Sequence, residues 1–169
     1  MDQQDWDGFR DYATARRGDL RRTAYLLCGD WHLADDLVQD ALAKLYVRWR
    51  KVRAKGTVDG YVRRMLVNGY LATHRRSWRR EVSTPQVPER AAPTGGDDGT
   101  RDLLMRALAG LHPSQRTIVV LRYWNDLSVE QTAAALGCST GNVKSQSARG
   151  LHHLRAALSG AAVTEGVQP

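Results

Sequence analysis

The side chains with the clearest chemistry in this sequence are basic, and they are concentrated in one stretch. Between Lys44 and Arg80 there are twelve lysines and arginines and a single acid, Asp59. The stretch ends in THRRSWRRE, residues 73–81, where four arginines and a histidine surround Trp78. Like charges at helical spacing repel one another, so an anionic partner would stabilise this surface. With a formal net charge of +7, the pattern indicates a polyanionic partner, either nucleic acid or an acidic membrane surface.

Other reactive side chains form no recognisable site. Cys28 and His32 are one helical turn apart and His152 and His153 lie elsewhere, so no second pair of ligands completes a metal site. The sequence has neither a phosphate-binding glycine loop nor a nucleophile elbow. We therefore expect no catalytic activity, no metal and no cofactor.

The compartment follows from the cysteines and the N-terminus. Cys28 and Cys138 are far apart and give no framework of spaced pairs, which is typical of a reducing cytoplasm. The N-terminal MDQQDWDGFRDY is acidic, and no run approaches the ~18 apolar residues of a membrane span. These features predict a cytoplasmic protein without membrane insertion.

The elements that must position the basic side chains are predicted to be helices. Apolar periodicity and glycine punctuation predict N-terminal helices at about 4–17, 19–28, 31–50 and 57–80. Residues 82–100 contain three of the five prolines and no periodic apolar pattern, which predicts a flexible linker. We predict an all-α protein of two small helical domains: 1–81, a linker at 82–100, 101–160, and a tail at 161–169.

One segment is ambiguous. The β-branched residues of TIVVLRYW, 117–124, would suit a strand, but no partner strand is apparent and the flanking segments are helical. We therefore expect a helix, preceded by a helix that starts at Pro113.

Residues 127–155, LSVEQTAAALGCSTGNVKSQSARGLHHLR, match the requirements of a helix-turn-helix. Ser128 and Gln131 can form a capping box, and Gly137 can take the positive φ of the turn. Ala133 is small enough for close helix crossing, and Val143 is the apolar residue that docks the second helix on the first. A plain αα-hairpin would satisfy the same spacing, so this motif alone leaves both readings open.

A second polar cluster lies on the predicted helix at 31–50. Its apolar stripe includes Leu37, Val38 and Tyr46, whereas Asp36, Gln39 and Asp40 fall on the other face, within DLVQD. Acids four residues apart can pair with arginines of a partner helix. A solvated acidic face is the alternative.

Both halves resemble bacterial extracytoplasmic-function sigma factors, in particular actinobacterial SigE-type members. The stretch LHPSQRTIVVLRYWNDLSVEQTAAALGCSTGNVKSQSARGLHHLR resembles their region 4, and AYLLCGDWHLADDLVQDALAKLYVRW resembles their region 2. The two motifs are in family order and together cover residues 6–81 and 102–158. The resemblance implies a protein that lends promoter recognition to core RNA polymerase.

The resemblance also implies roles for particular residues. Asp36, Gln39 and Asp40 would meet the clamp helices of the largest polymerase subunit. The double-stranded -35 element would be read by Thr140, Asn142, Lys144, Ser145, Ala148 and Arg149. Gln146 and Ala148 depart from the family pattern, which leaves the preferred -35 sequence open.

The last helix of region 2 would hold the melted -10 element. Base or strand contacts are expected from Asn68, Tyr70, Thr73 and His74, and phosphate contacts from Arg63, Arg64, Arg75, Arg76, Arg79 and Arg80. Core packing is an equal alternative for Tyr70, and a structural role is favoured for Trp78. The competing functions are a stand-alone helix-turn-helix regulator and a basic protein that coats nucleic acid. Small sigma factors commonly pair with an anti-sigma factor, although no residue here identifies one.

Overall fold

A computed structural model of the chain describes residues 2–81 and 99–165, with side chains placed for 2–76 and 99–160. Seven α-helices lie in these ranges: α1 Gln3–Cys28, α2 Trp31–Ala54, α3 Val58–Glu81, α4 Gly99–Ala109, α5 Pro113–Val119, α6 Val129–Leu136 and α7 Thr140–Glu165. A π-helical turn, Val120–Trp124, directly continues α5. The two ranges contain no strand, so the predicted all-α fold is confirmed. Most of the predicted linker lies outside the described residues.

Helices α1, α2 and α3 pack together as the N-terminal group. Gly29 ends α1 with a left-handed φ of 74°, and the Asp30 carboxylate accepts a hydrogen bond of 2.8 Å from the Leu33 amide at the start of α2. The short αL cap and the N-cap place two long helices side by side, so each buries an apolar face against the other.

The sequence predicts two helices over 4–28, but the structure has one, so the break expected at Gly18 is wrong. A glycine inside a helix costs only about 1 kcal/mol relative to alanine. Aromatic contacts on both sides of Gly18 outweigh that cost: Phe9 packs edge-on against Trp49 with ring centroids 5.6 Å apart, and Tyr25 stacks on Trp31 at 3.9 Å.

Helices α4 to α7 form the C-terminal group. Ile118, Ala133 and Val143 make a small buried cluster where α5, α6 and α7 meet. Pro113 begins α5, and residues 117–124 are helical, as predicted. The turn at Val120–Trp124 is π-helical because the backbone amide of Asn125 donates a hydrogen bond of 3.1 Å to the Val120 carbonyl, five residues back.

The two groups are in direct contact, and most of their buried apolar side chains form one hydrophobic cluster. Arg116 of α5 donates from Nε to the Leu26 carbonyl at 2.6 Å, and Asn125 Nδ2 donates to Thr23 Oγ1 at 3.0 Å. The guanidinium of Arg101 lies 5.4 Å from the centre of the Tyr25 ring. The described residues therefore form a single packed body, an arrangement that periodicity and motif spacing do not predict.

Candidate functional site

Three surfaces carry the predicted site residues, and the first lies on α2. Leu37, Val38 and Ala41 face the core, so Asp36, Gln39 and Asp40 project from the opposite, exposed side. Asp40 forms an ion pair of 2.5 Å with Lys44, one turn further along α2. An exposed pair of this kind contributes little to stability, so a partner could replace Lys44 at small cost.

The second surface is α3. Asn68, His74, Arg64, Arg75 and Arg76 are exposed, and Arg63 and Thr73 are half-buried. Arg64, Asn68 and Arg75 share one face because their spacings of four and seven residues return close to the same helical angle. The structure thus brings two arginines and an amide into one row that can follow a phosphate backbone. The side chains of Arg79, Arg80 and Trp78 lie outside the described residues.

Tyr70 and Thr73 are directed differently from this row. The Tyr70 side chain is only 2% exposed, and burial raises the pKa of its hydroxyl. Its ring meets His74 edge-on, with centroids 5.3 Å apart. The Thr73 hydroxyl donates to the Gly69 carbonyl of the preceding turn at 3.0 Å. In this arrangement Tyr70 packs in the core, which was one of its two predicted roles, and its ring cannot stack on a base.

The third surface is the N-terminal half of α7, within the helix-turn-helix. Ser128 and Gln131 form the predicted capping box, and Gly137 adopts a φ of 65° in the turn. Val143 is fully buried against Ile118 and Ala133, so it docks α7 as predicted. Every predicted -35 residue is exposed on α7: Thr140, Asn142, Lys144, Ser145, Ala148 and Arg149.

Comparison with known families and proteins agrees with this organisation. Residues 13–80 match the model of Sigma-70 region 2, and residues 101–154 match that of Sigma-70 region 4. The chain is 43% identical over 155 residues to the RNA polymerase sigma-E factor of Streptomyces coelicolor, covering 89% of this chain and 85% of that one. The chain belongs to the extracytoplasmic-function sigma factors.

One further relative and one solved structure are similar to this chain. The ECF RNA polymerase sigma factor SigE of Mycolicibacterium smegmatis is 31% identical over 144 residues, covering 79% of this chain and 55% of that protein. The solved structure of the sigma factor RpoE in complex with the anti-sigma factor NepR from Bartonella quintana shares the fold, with a TM-score of 0.78 at 24% identity over 90% of this chain and 97% of that one. A match to region 2 as well as region 4 favours a sigma factor over a stand-alone helix-turn-helix regulator.

As a sigma factor, the protein binds core RNA polymerase and directs promoter-specific initiation of transcription. Sigma factors are initiation factors rather than catalysts. In the part of the chain that the structure describes, no helix is long and apolar enough to cross a membrane. The same part has no group of three or more side chains that could hold a metal.

The sigma factor also has an apolar groove that sequence reasoning missed. Trp6 and Phe9 of α1 and Tyr46 and Val47 of α2 line a groove of about 490 Å³ that also reaches Gln39. Tyr46 is 40% exposed and Val47 82% exposed, although the periodic pattern assigns Tyr46 to the buried stripe. Val47 is apolar but out of phase with that stripe, and this is the sequence feature that could have indicated the groove. The groove extends the α2 surface with side chains of the kind that dominate protein interfaces.

Ser139 is a second missed residue. Its hydroxyl accepts a hydrogen bond of 3.1 Å from the backbone amide of Asn142, so it caps α7. A serine directly before a helix start was visible in the sequence. Because the backbone amide of Asn142 is already bonded within the protein, only the side chain of Asn142 is available to a further partner.

Proposed function

We propose that the promoter-binding and polymerase-binding functions are divided between the two helical groups. Residues 1–81 form region 2, which docks on core polymerase and holds the melted -10 element. Residues 101–160 form region 4, which reads the double-stranded -35 element. The family matches at 13–80 and 101–154 support these boundaries, and the two groups are joined by residues 82–100.

The observation that carries the residue assignments is the partition of α7 into two faces. Val143, Ser147, Gly150 and Leu154 are buried, and the six predicted -35 residues are all exposed. In a helix-turn-helix the exposed N-terminal part of the second helix enters the major groove. Lys144 can donate to guanine O6 or N7, and Arg149, about one turn further along, can bind a base or phosphate.

The polymerase-binding surface is the exposed side of α2, and its partner is the clamp helices of the largest polymerase subunit. Asp36 and Asp40 are four residues apart, so both carboxylates can reach arginines on one partner helix. Gln39, which lies between them and borders the apolar groove, can donate or accept across the interface. The groove beside it would exclude water from these contacts.

On α3, the row of Arg64, Asn68 and Arg75 would follow the non-template strand. Arg63, Thr73, His74, Arg76, Arg79 and Arg80 remain further proposed contacts along the same helix. Single-stranded DNA is bound by basic grooves with exposed aromatic stacking surfaces. Tyr70 is buried, so its ring can stack on a base only if it becomes exposed.

The protein would act in the cytoplasm, where the polymerase is, without catalysing a reaction of its own. An anti-sigma factor is a further proposed partner, since the structural neighbour was solved with one.

The experiment that tests the docking surface is co-purification of the full chain with core RNA polymerase. Asp40→Arg inverts the proposed charge and should abolish co-purification, because it turns an attraction into repulsion. Asp11→Arg is the matched control, since Asp11 is an exposed acid of α1 and does not line the groove. Unchanged binding of Asp40→Arg would remove Asp40 from the site. Circular dichroism checks that both variants remain folded.

A further inference from the structure

The C-terminal half of α2 carries basic side chains that neither the proposed promoter surfaces nor the proposed polymerase surface uses. Arg48, Lys51 and Lys55 are all exposed, and they follow one another at spacings of three and four residues. At about 100° of rotation per residue, they lie within about 60° of one another around the helix axis. We call these three residues the α2 basic stripe.

The arginines on the opposite flank of α2 are neutralised by acids of α1. Arg50 pairs with Asp2 at 2.7 Å and also with Asp5. Arg53 approaches the same Asp5 carboxylate at 3.9 Å. On this flank, where α1 packs along α2, the fold itself supplies an anionic partner for each arginine.

The α2 basic stripe has no such partner. Within the described residues, no carboxylate forms an ion pair with Arg48, Lys51 or Lys55. Lys44, one turn before Arg48, is already paired with Asp40. Like charges three and four residues apart on a helix repel one another, so an external anion would stabilise the stripe.

The stripe ends beside the helix that is proposed to hold the -10 element. Lys55 is the C-cap of α2, and α3 begins at Val58, three residues later. Three residues of chain reach at most about 11 Å. Arg64, the first residue of the exposed row on α3, lies within the first two turns of that helix. Because α2 and α3 pack together, the stripe and the row are neighbouring basic surfaces.

The dimensions and composition of the stripe fit a phosphate backbone. From Arg48 to Lys55 the helix rises about 10 Å, at ~1.5 Å per residue. A DNA strand has one phosphate about every 3.4 Å along the duplex axis, so three cations span about three phosphates. A helix that binds a membrane surface needs an exposed apolar face beside its cations. The apolar residues next to the stripe, Trp49 and Val52, are instead buried in the core.

We propose that the α2 basic stripe is a further DNA-binding surface of this sigma factor, which holds the phosphate backbone of the promoter next to the -10 element. The proposal rests on the assignment of α3 to that element. The DNA would continue from the row on α3, past the turn at residues 55–57, to the stripe. Its phosphates belong either to the melted strand or to the adjoining duplex. Contacts to phosphates position the DNA but carry no sequence information, so the stripe adds affinity without promoter preference.

The test measures how steeply DNA binding by the full chain depends on salt. Fluorescence anisotropy follows binding to labelled DNA of random sequence, once single-stranded and once as a duplex, at a series of salt concentrations. The stripe variant replaces all three cations with a neutral residue of similar helix propensity: Arg48→Gln, Lys51→Gln, Lys55→Gln.

A charge control separates the position of the cations from the net charge of the chain. It removes three exposed arginines that lie on neither α2 nor α3: Arg10→Gln, Arg22→Gln, Arg106→Gln. Its net charge equals that of the stripe variant. The control should therefore keep the wild-type salt dependence if the stripe contacts phosphates and the removed arginines do not.

The expected effect is a shallower slope of log association constant against log salt. Each phosphate contact contributes ~0.7 to this slope for single strands and ~0.9 for duplex DNA. The slope of the stripe variant should therefore be shallower by about 2 on the single strand or by about 3 on the duplex. On the single strand, raising the salt from about 50 to about 200 mM should weaken the variant about fifteenfold less than the wild type. The probe that shows the change identifies which form of DNA the stripe holds.

Three results would overturn the proposal. The first is an equal slope for the wild type and the stripe variant. The second is an equally shallow slope for the charge control, which would mean that only net charge matters. The third is a wild type that binds neither DNA probe at low salt, whether or not it binds vesicles containing phosphatidylserine, because the stripe is exposed in the free chain.

Two further variants keep the result interpretable. The double variant Arg64→Gln, Arg75→Gln tests the assignment of α3 in the same titrations. A shallower slope in that variant alone would reject the stripe and leave α3 assigned to DNA, and the reverse result would reject α3 while the stripe still binds DNA. If circular dichroism shows that the stripe variant is unfolded, Arg48→Gln alone should make the slope shallower by about 0.7, and no change would count against the proposal.

Discussion

Gly150 is the position where one added methyl group should most directly disturb the packing of α7 against α5. It is buried in α7, and a Cβ built there would lie 2.8 Å from Cγ2 of Val119 and 3.6 Å from Cβ of Gln115. Both neighbours belong to α5, and Val119 is itself 6% exposed. We therefore expect Gly150→Ala to push α7 away from α5.

The magnitude has two opposing parts. Overpacking a filled core costs about 1 to 3 kcal/mol. Alanine recovers about 1 kcal/mol of helix propensity relative to glycine. Gly60→Ala isolates the second part, because Gly60 lies in α3 and a Cβ there meets nothing within 4 Å. The free energy of unfolding of the two variants should differ by about 1 to 3 kcal/mol, with Gly150→Ala the less stable.

Urea unfolding followed by far-UV circular dichroism measures this difference. A Val119→Ala substitution should make room for the new methyl group, so the double variant with Gly150→Ala should be more stable than the sum of the single effects predicts. Equal stabilities for Gly150→Ala and Gly60→Ala would refute the close approach of α7 to α5.

Three further perturbations test other parts of the structure. Burial, and then a 2.8 Å hydrogen bond to Asp59, raise the pKa of Tyr12, so the folded state keeps a proton that the unfolded chain releases. The free energy of unfolding should therefore fall as pH rises through about 10, and it should fall less steeply in Tyr12→Phe. Urea midpoints measured at a series of pH values check this. An equal slope would contradict this. Ser128→Ala should cost about 1 kcal/mol of unfolding free energy because the Gln131 amide loses its cap, and no loss in thermal unfolding would argue against the capping box. Lys144→Ala should cost roughly 1 to 3 kcal/mol of DNA-binding free energy and relax promoter choice if Lys144 reads a base. Binding titrations that show an equal loss of affinity for all sequences and a smaller salt dependence would make Lys144 a phosphate contact.

Local chemistry explains which features could be predicted from the sequence. Asp30, Ser128 and Gly137 act on amides or dihedrals within a few residues of themselves, so their cap and turn roles were readable from spacing. The exposed face of α7 was predictable for the same reason, since a helix with a period of 3.6 residues that buries Val143 must expose Lys144 and Ser145.

Long-range packing explains what could not be predicted. Gly18 has the local signature of a break, yet ring contacts on both sides of it keep α1 continuous. Tyr70 fits a base-stacking residue or a core residue equally well by type, and only the tertiary packing decides that it is buried. The hydrogen bond from Arg116 to the Leu26 carbonyl joins residues ninety positions apart, and no local pattern in the sequence predicts it.

Transcription in vitro from genomic DNA, with purified core RNA polymerase plus this protein, tests the central claim most directly. The account predicts start sites that share one bipartite motif with -35 and -10 elements, and loss of those starts with Asp40→Arg. Starts that appear without the protein, or no initiation with saturating wild-type protein, would contradict it.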